Sequence, residues 1–141
     1  MTGNVVQHIG DDDWRRTLRD LSSMLRPGGT LGFDSRNPRV RAWTHWTTSG
    51  RSVLATEHGL LEEWSTADVV APGVVRLVAS NRFADDDRTL EYTQDLRFRD
   101  RDELEHDLRA AGFDSVEVSG DWQRTPFGDD DPVMAFVATA G

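Results

Sequence analysis

The chain has 141 residues, 16 of them basic and 25 acidic, for a formal net charge of −9. Every basic residue is arginine and there is no cysteine, which excludes lysine Schiff-base and P-loop chemistry, thiolate nucleophiles, disulfides and cysteine-ligated metal. The acidic balance argues against broad nucleic-acid binding, which depends on neutralising phosphates; no window approaches the ~20 apolar residues of a membrane span, so the sequence reads as a soluble, cytoplasmic single domain.

Residues 3–9, "GNVVQHI", are short, partly β-branched and bounded by glycine, the pattern of a buried strand. "DDDW" then supplies aspartate for a cap and a first turn, and Trp14, Leu18, Leu21 and Leu25 fall on one stripe, predicting a helix over 11–26. Pro27 and the Gly28-Gly29 pair end it, and "TLGFDS" follows as a strand. A nucleotide loop needs strand, glycines, helix; here the order is helix, glycines, strand, so the glycines sit at the negative end of a helix dipole and cradle no phosphate. Residues 39–58 read as loop with some helical turn. From Leu60 the period becomes two, with "LLEEWSTADVV", "GVVRLVASNRF" and "TLEYTQDLRF" separated by turn signals, an antiparallel meander with one wet face on which Leu90, Tyr92, Leu96 and Phe98 share the dry side. Asp100 and Glu103 have capping-box spacing before a helix closed by Gly112, "SVEVS" is a strand, "GDWQRTPFGDDDP" a loop and "VMAFVAT" a last strand. The organisation is one domain over 1–141: β-α-β over 1–38, loop and meander over 39–99, α-β-β over 100–141.

"LRPGGTLGFDSRNP", preceded by a helix and by "MTGNVVQ", together with "LEHDLRAAGFDSVEVSGDW" and "PVMAFVATA", resembles the C-terminal portion of class I S-adenosylmethionine-dependent methyltransferases. The resemblance implies an α/β fold, a partial Rossmann-like sheet of order 4-5-7-6, with the meander as an antiparallel β insertion on the substrate side. It also implies that the family's first three strands, its Gly-rich cofactor loop and its acidic ribose-binding residue have no counterpart here, so the chain corresponds to roughly the last half or two thirds of the domain. The strand at 3–9 then becomes an apolar edge, and an edge seeks a partner: a homodimer pairing through 3–9, or a missing half supplied in trans. The implied activity is methyl transfer from S-adenosylmethionine to a small-molecule substrate once the cofactor half is supplied. The alternative is a non-catalytic α+β ligand-binding or dimerisation module.

By the same resemblance Gly3, Asn4 and Val5 lie on the cofactor side; as plain residues they read as a strand end with an asparagine turn. Asp34, Arg36 and Asn37 stand at the C-terminal end of the second strand, the rim where open α/β sheets bind ligands. Arg36 either holds a substrate carboxylate or phosphate, or pairs with Asp34. Trp43 and Trp46 read as an aromatic wall over a substrate, with His45 as a general base, or as i, i+3 packing. Glu62 and Glu63 point to opposite faces of a strand and form no acid–base pair. The aspartate triplets at 11–13, 85–87 and 129–131 lack EF-hand spacing, and His8, His45, His58 and His106 lack metal-ligand spacing, so no metal site is expected.

Overall fold

The computed structural model of the chain describes residues 1–86 and 88–141. The third residue of the 85–87 triplet, Asp87, lies outside the described residues. The chain forms two compact units: Met1–Arg41 with Arg97–Gly141, and Ala42–Leu96.

In the first unit, α1 spans Asp11–Met24. Gly10 takes the cap position, and Asp11, Asp12 and Asp13 fill the first turn, where carboxylates complement the helix dipole. Trp14 and Leu18 are fully buried, as the stripe requires. The chain leaves the helix through Gly28, at φ 78°. A Cβ on Gly29 would meet the Arg26 carbonyl oxygen at 2.8 Å, so the second glycine is needed for close backbone approach. β1, Thr30–Arg36, follows. After the second unit, α2 covers Arg101–Ala110, capped by the Asp100 side chain, which accepts from the Glu103 amide at 2.8 Å. β6, Phe113–Ser119, and β7, Val133–Ala140, complete the unit.

The sheet of this unit has three strands in the order β1-β7-β6, with β7 antiparallel to both neighbours. The core packs Trp14, Leu18, Leu104 and Leu108 from the helices with Leu31, Phe33 and Phe136 from the strands. Phe33 stacks on Phe136 at 4.9 Å between centroids and takes Trp14 edge-on at 5.4 Å.

The strand expected at 3–9 does not form. Gly3 and Asn4 are both left-handed, with φ of 75° and 57°, and Val5–His8 is a single 3-10 turn. Two consecutive positive-φ residues cannot continue a pleated strand, and glycine and asparagine adopt that conformation at least cost. The sheet order 4-5-7-6 is therefore reduced to three strands, and the apolar edge strand on which pairing of two copies through 3–9 rested is absent.

The second unit holds a four-stranded sheet in sequential order, β2 Ser52–Thr56, β3 Gly59–Ala71, β4 Val74–Phe83 and β5 Leu90–Arg97, the last of which ends in the first unit. β3 is antiparallel to β2 and to β4. The strand β2 lies inside the segment expected as loop, whose helical turns are the short 3-10 pieces Pro38–Val40 and Ala42–His45. The dry side expected of β5 is dry only at its end: Leu96 is buried, while Leu90 and Tyr92 are 71% and 61% exposed. Arg51 and Arg82 both donate to Glu62, and Arg76 forks onto Asp95 at 2.7 and 2.8 Å.

Candidate functional site

The C-terminal end of β1 is a hydrogen-bonded rim. Asp34, nearly buried, accepts from the Asn4 amide at 2.6 Å and from Trp122 Nε1 at 3.2 Å. Its own amide donates to the Met1 carbonyl at 3.3 Å. Arg36 Nη1 donates to Gln7 Oε1 at 3.0 Å, and Gln7 is 1% exposed. The two charged residues suggested as a pair thus each bond a different residue of the turn 3–9. Asn37 is buried and holds the 120–132 loop: its Nδ2 donates to the carbonyls of Asp129 and Asp131 at 2.8 and 2.9 Å, and its amide to Pro132 at 3.0 Å.

The Trp122 indole passes over Gly32, two residues before Asp34 on the same face of β1; a Cβ there would stand in ordinary contact with the ring at 3.5 Å. Beside Asn37 a cleft of about 340 Å³ opens, with Phe127 and Met134 as apolar wall and Arg39, Asp100 and Asp129 among its charged lining.

Behind the rim lies a cluster that sequence inspection does not reveal. Arg99, 1% exposed, donates to the carbonyls of Val6 at 3.1 Å and Ile9 at 2.8 Å and to Asp11 at 2.8 Å. Arg97 bridges Asp11 at 3.0 Å and Glu103 at 2.7 Å. Burial pushes the Asp11 carboxyl up, but the guanidiniums of Arg97 and Arg99 together outweigh it and hold the group below the usual aspartate range. Burial dominates at the other two groups: it lowers Arg99 against the pull of Asp11, and raises Glu103 against that of Arg97.

Of the residues singled out in the sequence, Asn4 meets Asp34, and Arg36 meets Gln7; Gly3 supplies the left-handed backbone before Asn4. Trp43, His45 and Trp46 belong to the second unit: Trp43 and His45 lie in the 3-10 turn Ala42–His45, and Trp46 follows directly. The tryptophans are half-buried and His45 is exposed. Positions three apart eclipse on such a turn, and the Trp46 amide donates to the Trp43 carbonyl at 3.1 Å. Val5 starts the 3-10 turn Val5–His8 and is 38% exposed. The sequence analysis missed Gln7, Trp122 and Arg99. The only signal was a polar residue within an apolar run at Gln7; the other two are separated from their partners by 88 and 93 positions.

No protein-family model matches the chain, and no curated protein matches it. Solved structures do. An S-adenosylmethionine-dependent methyltransferase from Clostridium acetobutylicum ATCC 824 superposes with a TM-score of 0.72 at 12% identity, over 99% of this chain and 56% of that one. The methyltransferase CcbJ from Streptomyces caelestis gives 0.71 at 20% identity, over 99% and 58%. The chain has a methyltransferase fold. CalS10, an amino pentose methyltransferase from Micromonospora echinaspora involved in calicheamicin biosynthesis and solved with S-adenosylmethionine bound, gives 0.66 at 19% identity, over 99% and 57%. The chain spans a little over half the length of these proteins.

The turn at the rim carries unused polar atoms. Among the described residues, nothing beyond its chain neighbours stands within 4 Å of where a Cβ on Gly3 would lie, and Asn4 Oδ1 and Gln7 Nε2 are buried polar atoms without a partner. An open glycine beside unused acceptor and donor atoms suits the polar amino-acid end of a small molecule.

Proposed function

We propose that this chain supplies the acceptor side of an S-adenosylmethionine-dependent methyltransferase acting on an amino group of a small molecule. The observation that carries this is the bonding of the turn Gly3–Gln7 to the end of β1 through Asp34 and Arg36. It makes one polar rim in a chain that overlies methyltransferase structures along 99% of its length. The amino group is favoured because KedS8 from Streptoalloteichus sp ATCC 53650, which the chain also resembles in fold, is a sugar N-methyltransferase.

In this reading Gly3, Asn4 and Val5 face the cofactor, which when bound supplies a methyl group on sulfonium sulfur. Asp34 and Asn37 serve by position, the first fixing the turn and the second the loop that borders the cleft. Arg36, steadied at one nitrogen by Gln7, takes an anionic oxygen of the substrate. In the second unit, Trp43 and Trp46 would offer an aromatic surface and His45 a base for the proton that an amine acceptor loses. A second reading, a non-catalytic binding module, is favoured by the exposed apolar residues Leu54, Leu90 and Tyr92 of the second unit.

A chemical-shift titration tests the two. With S-adenosylhomocysteine, the amides of Gly3–Gln7 are expected to shift; with an amino sugar phosphate, that of Arg36. No shift at Gly3–Gln7 with millimolar S-adenosylhomocysteine would overturn the cofactor assignment, and ligand shifts confined to β2–β5 would favour the binding module.

A further inference from the structure

We infer that Arg99 is a positioning residue that fixes the cofactor-side turn Asn4–Ile9 from behind. The turn's part in a cofactor site rests on the function proposed above; its dependence on Arg99 does not.

The turn has little hold of its own. Within it, the Gln7 amide donates to the Asn4 carbonyl at 3.1 Å and the Ile9 amide to the Val6 carbonyl at 3.3 Å, a single 3-10 repeat. One such turn is marginal without outside support. The outside support on the rim side is Asp34 and Arg36. On the other side it is the guanidinium of Arg99, whose two terminal nitrogens fork onto the Val6 and Ile9 carbonyls while one also reaches Asp11.

Beyond that grip, the guanidinium carbon stands 5.3 Å from the Trp14 ring centroid, a cation–π contact, and Nε has no partner among the described residues. The neighbouring tasks are taken: Phe98 is buried beside it and Asp100 caps α2. Burying a guanidinium carries a desolvation cost that a methionine of similar length would not incur. The charge is placed where it grips two carbonyls and a carboxylate, all between residues 6 and 11. Because Arg99 is two residues beyond the end of β5, the strand leaving the four-stranded sheet terminates in the group that sets this turn.

The test is amide hydrogen exchange on the full chain carrying Arg99→Met. The Gln7 and Ile9 amides are expected to exchange roughly tenfold faster, while the β1–β7 amides around Phe33 and Phe136 keep their rates, the mark of local opening. Arg97→Met is the control, since it removes contacts to Asp11 and Glu103 but none to a turn carbonyl; Gln7 and Ile9 should then stay within about twofold of wild type. Arg99→Ala with guanidinium ion added should regain protection at the two amides. If Arg99→Met does not fold, Arg99→Lys serves: it keeps the charge but not the fork, and the turn should open selectively. Acceleration spread evenly over the first unit, or none at Gln7 and Ile9, would overturn the inference. S-adenosylhomocysteine shifts at Gly3–Val5 seen in wild type should be lost in Arg99→Met. Their absence in wild type counts against the proposed function and leaves the exchange result to decide the role of Arg99.

Discussion

Asp34→Asn isolates what the carboxylate at the end of β1 contributes. The substitution keeps the shape and removes the charge and one acceptor. In wild type both oxygens are used, Oδ1 by the Asn4 amide at 2.6 Å and Oδ2 by Trp122 Nε1 at 3.2 Å. With an amide in place, either orientation turns an NH2 toward one of these donors. If it faces Trp122, the indole N–H loses its acceptor; if it faces Asn4, the turn loses its tie to β1. The surviving bond falls from charge-assisted to neutral, a loss of about 1 kcal/mol, and the stranded donor adds about 1–2 kcal/mol, at the low end because Trp122 is partly open to water. The expected destabilisation is about 2 kcal/mol, which at a typical urea slope lowers the unfolding midpoint by about 1 M at pH 7. A double-mutant cycle with Trp122→Phe should give a coupling of about 1 kcal/mol between the two positions. An unchanged midpoint, or strictly additive effects of the two substitutions, would refute the account of the rim as a bonded unit.

Other outcomes follow from the same structure. Phe33→Ala removes a fully buried ring stacked on Phe136 and flanked by Trp14, and urea titration should show a loss of about 3–5 kcal/mol. Asp100→Ala leaves the Glu103 amide without its cap and should cost about 1 kcal/mol, most of it restored by Asp100→Asn. Acid titration of stability should implicate Asp11. Its folded pKa lies below the ordinary value, so its contribution is present above that value and is lost as pH falls through the folded one. Glu103, raised by burial, gives the opposite slope, its contribution being lost as pH rises through its folded pKa. Urea midpoints measured from neutral to strongly acidic pH should therefore fall below the ordinary aspartate value of about 4, and Asp11→Asn should flatten that fall.

Much of the framework was legible because it is written locally. The stripe Trp14, Leu18, Leu21, Leu25, the Pro-Gly-Gly exit, the Asp100 cap and the apolar run of β7 each specify their element from a few neighbouring residues. The segment 3–9 misled because the β-branched pair Val5-Val6 speaks for a strand, whereas the deciding residues are Gly3 and Asn4, whose left-handed backbone turns the chain before a strand can start. β2 escaped notice because Val53 and Leu54 are both more than half exposed, so no alternation marks it. Asp34, Arg36 and Asn37 were singled out by their position at a strand end, and β1 does end at Arg36. Their partners were not, since nothing near Trp122 in sequence announces an acceptor 88 positions away.

The division of the chain into a continuous and a discontinuous unit bears on the order of folding. Strands β2 to β5 pair with their neighbours in sequence, so their contacts close short loops. The first unit instead joins residues before 42 to residues after 96, and its β1–β7 ladder, starting at Thr30↔Thr139, must wait for the far end of the chain. Distant pairing closes slowly, although each doubling of loop length adds only about 0.6 kcal/mol of entropy. If the meander forms first, it shortens the effective loop that separates the two halves of the first unit. In pulse-labelled refolding, the amides linking β3 and β4 should gain protection before those linking β1 and β7, which makes the excursion a clasp that brings Arg99 back to the turn it holds.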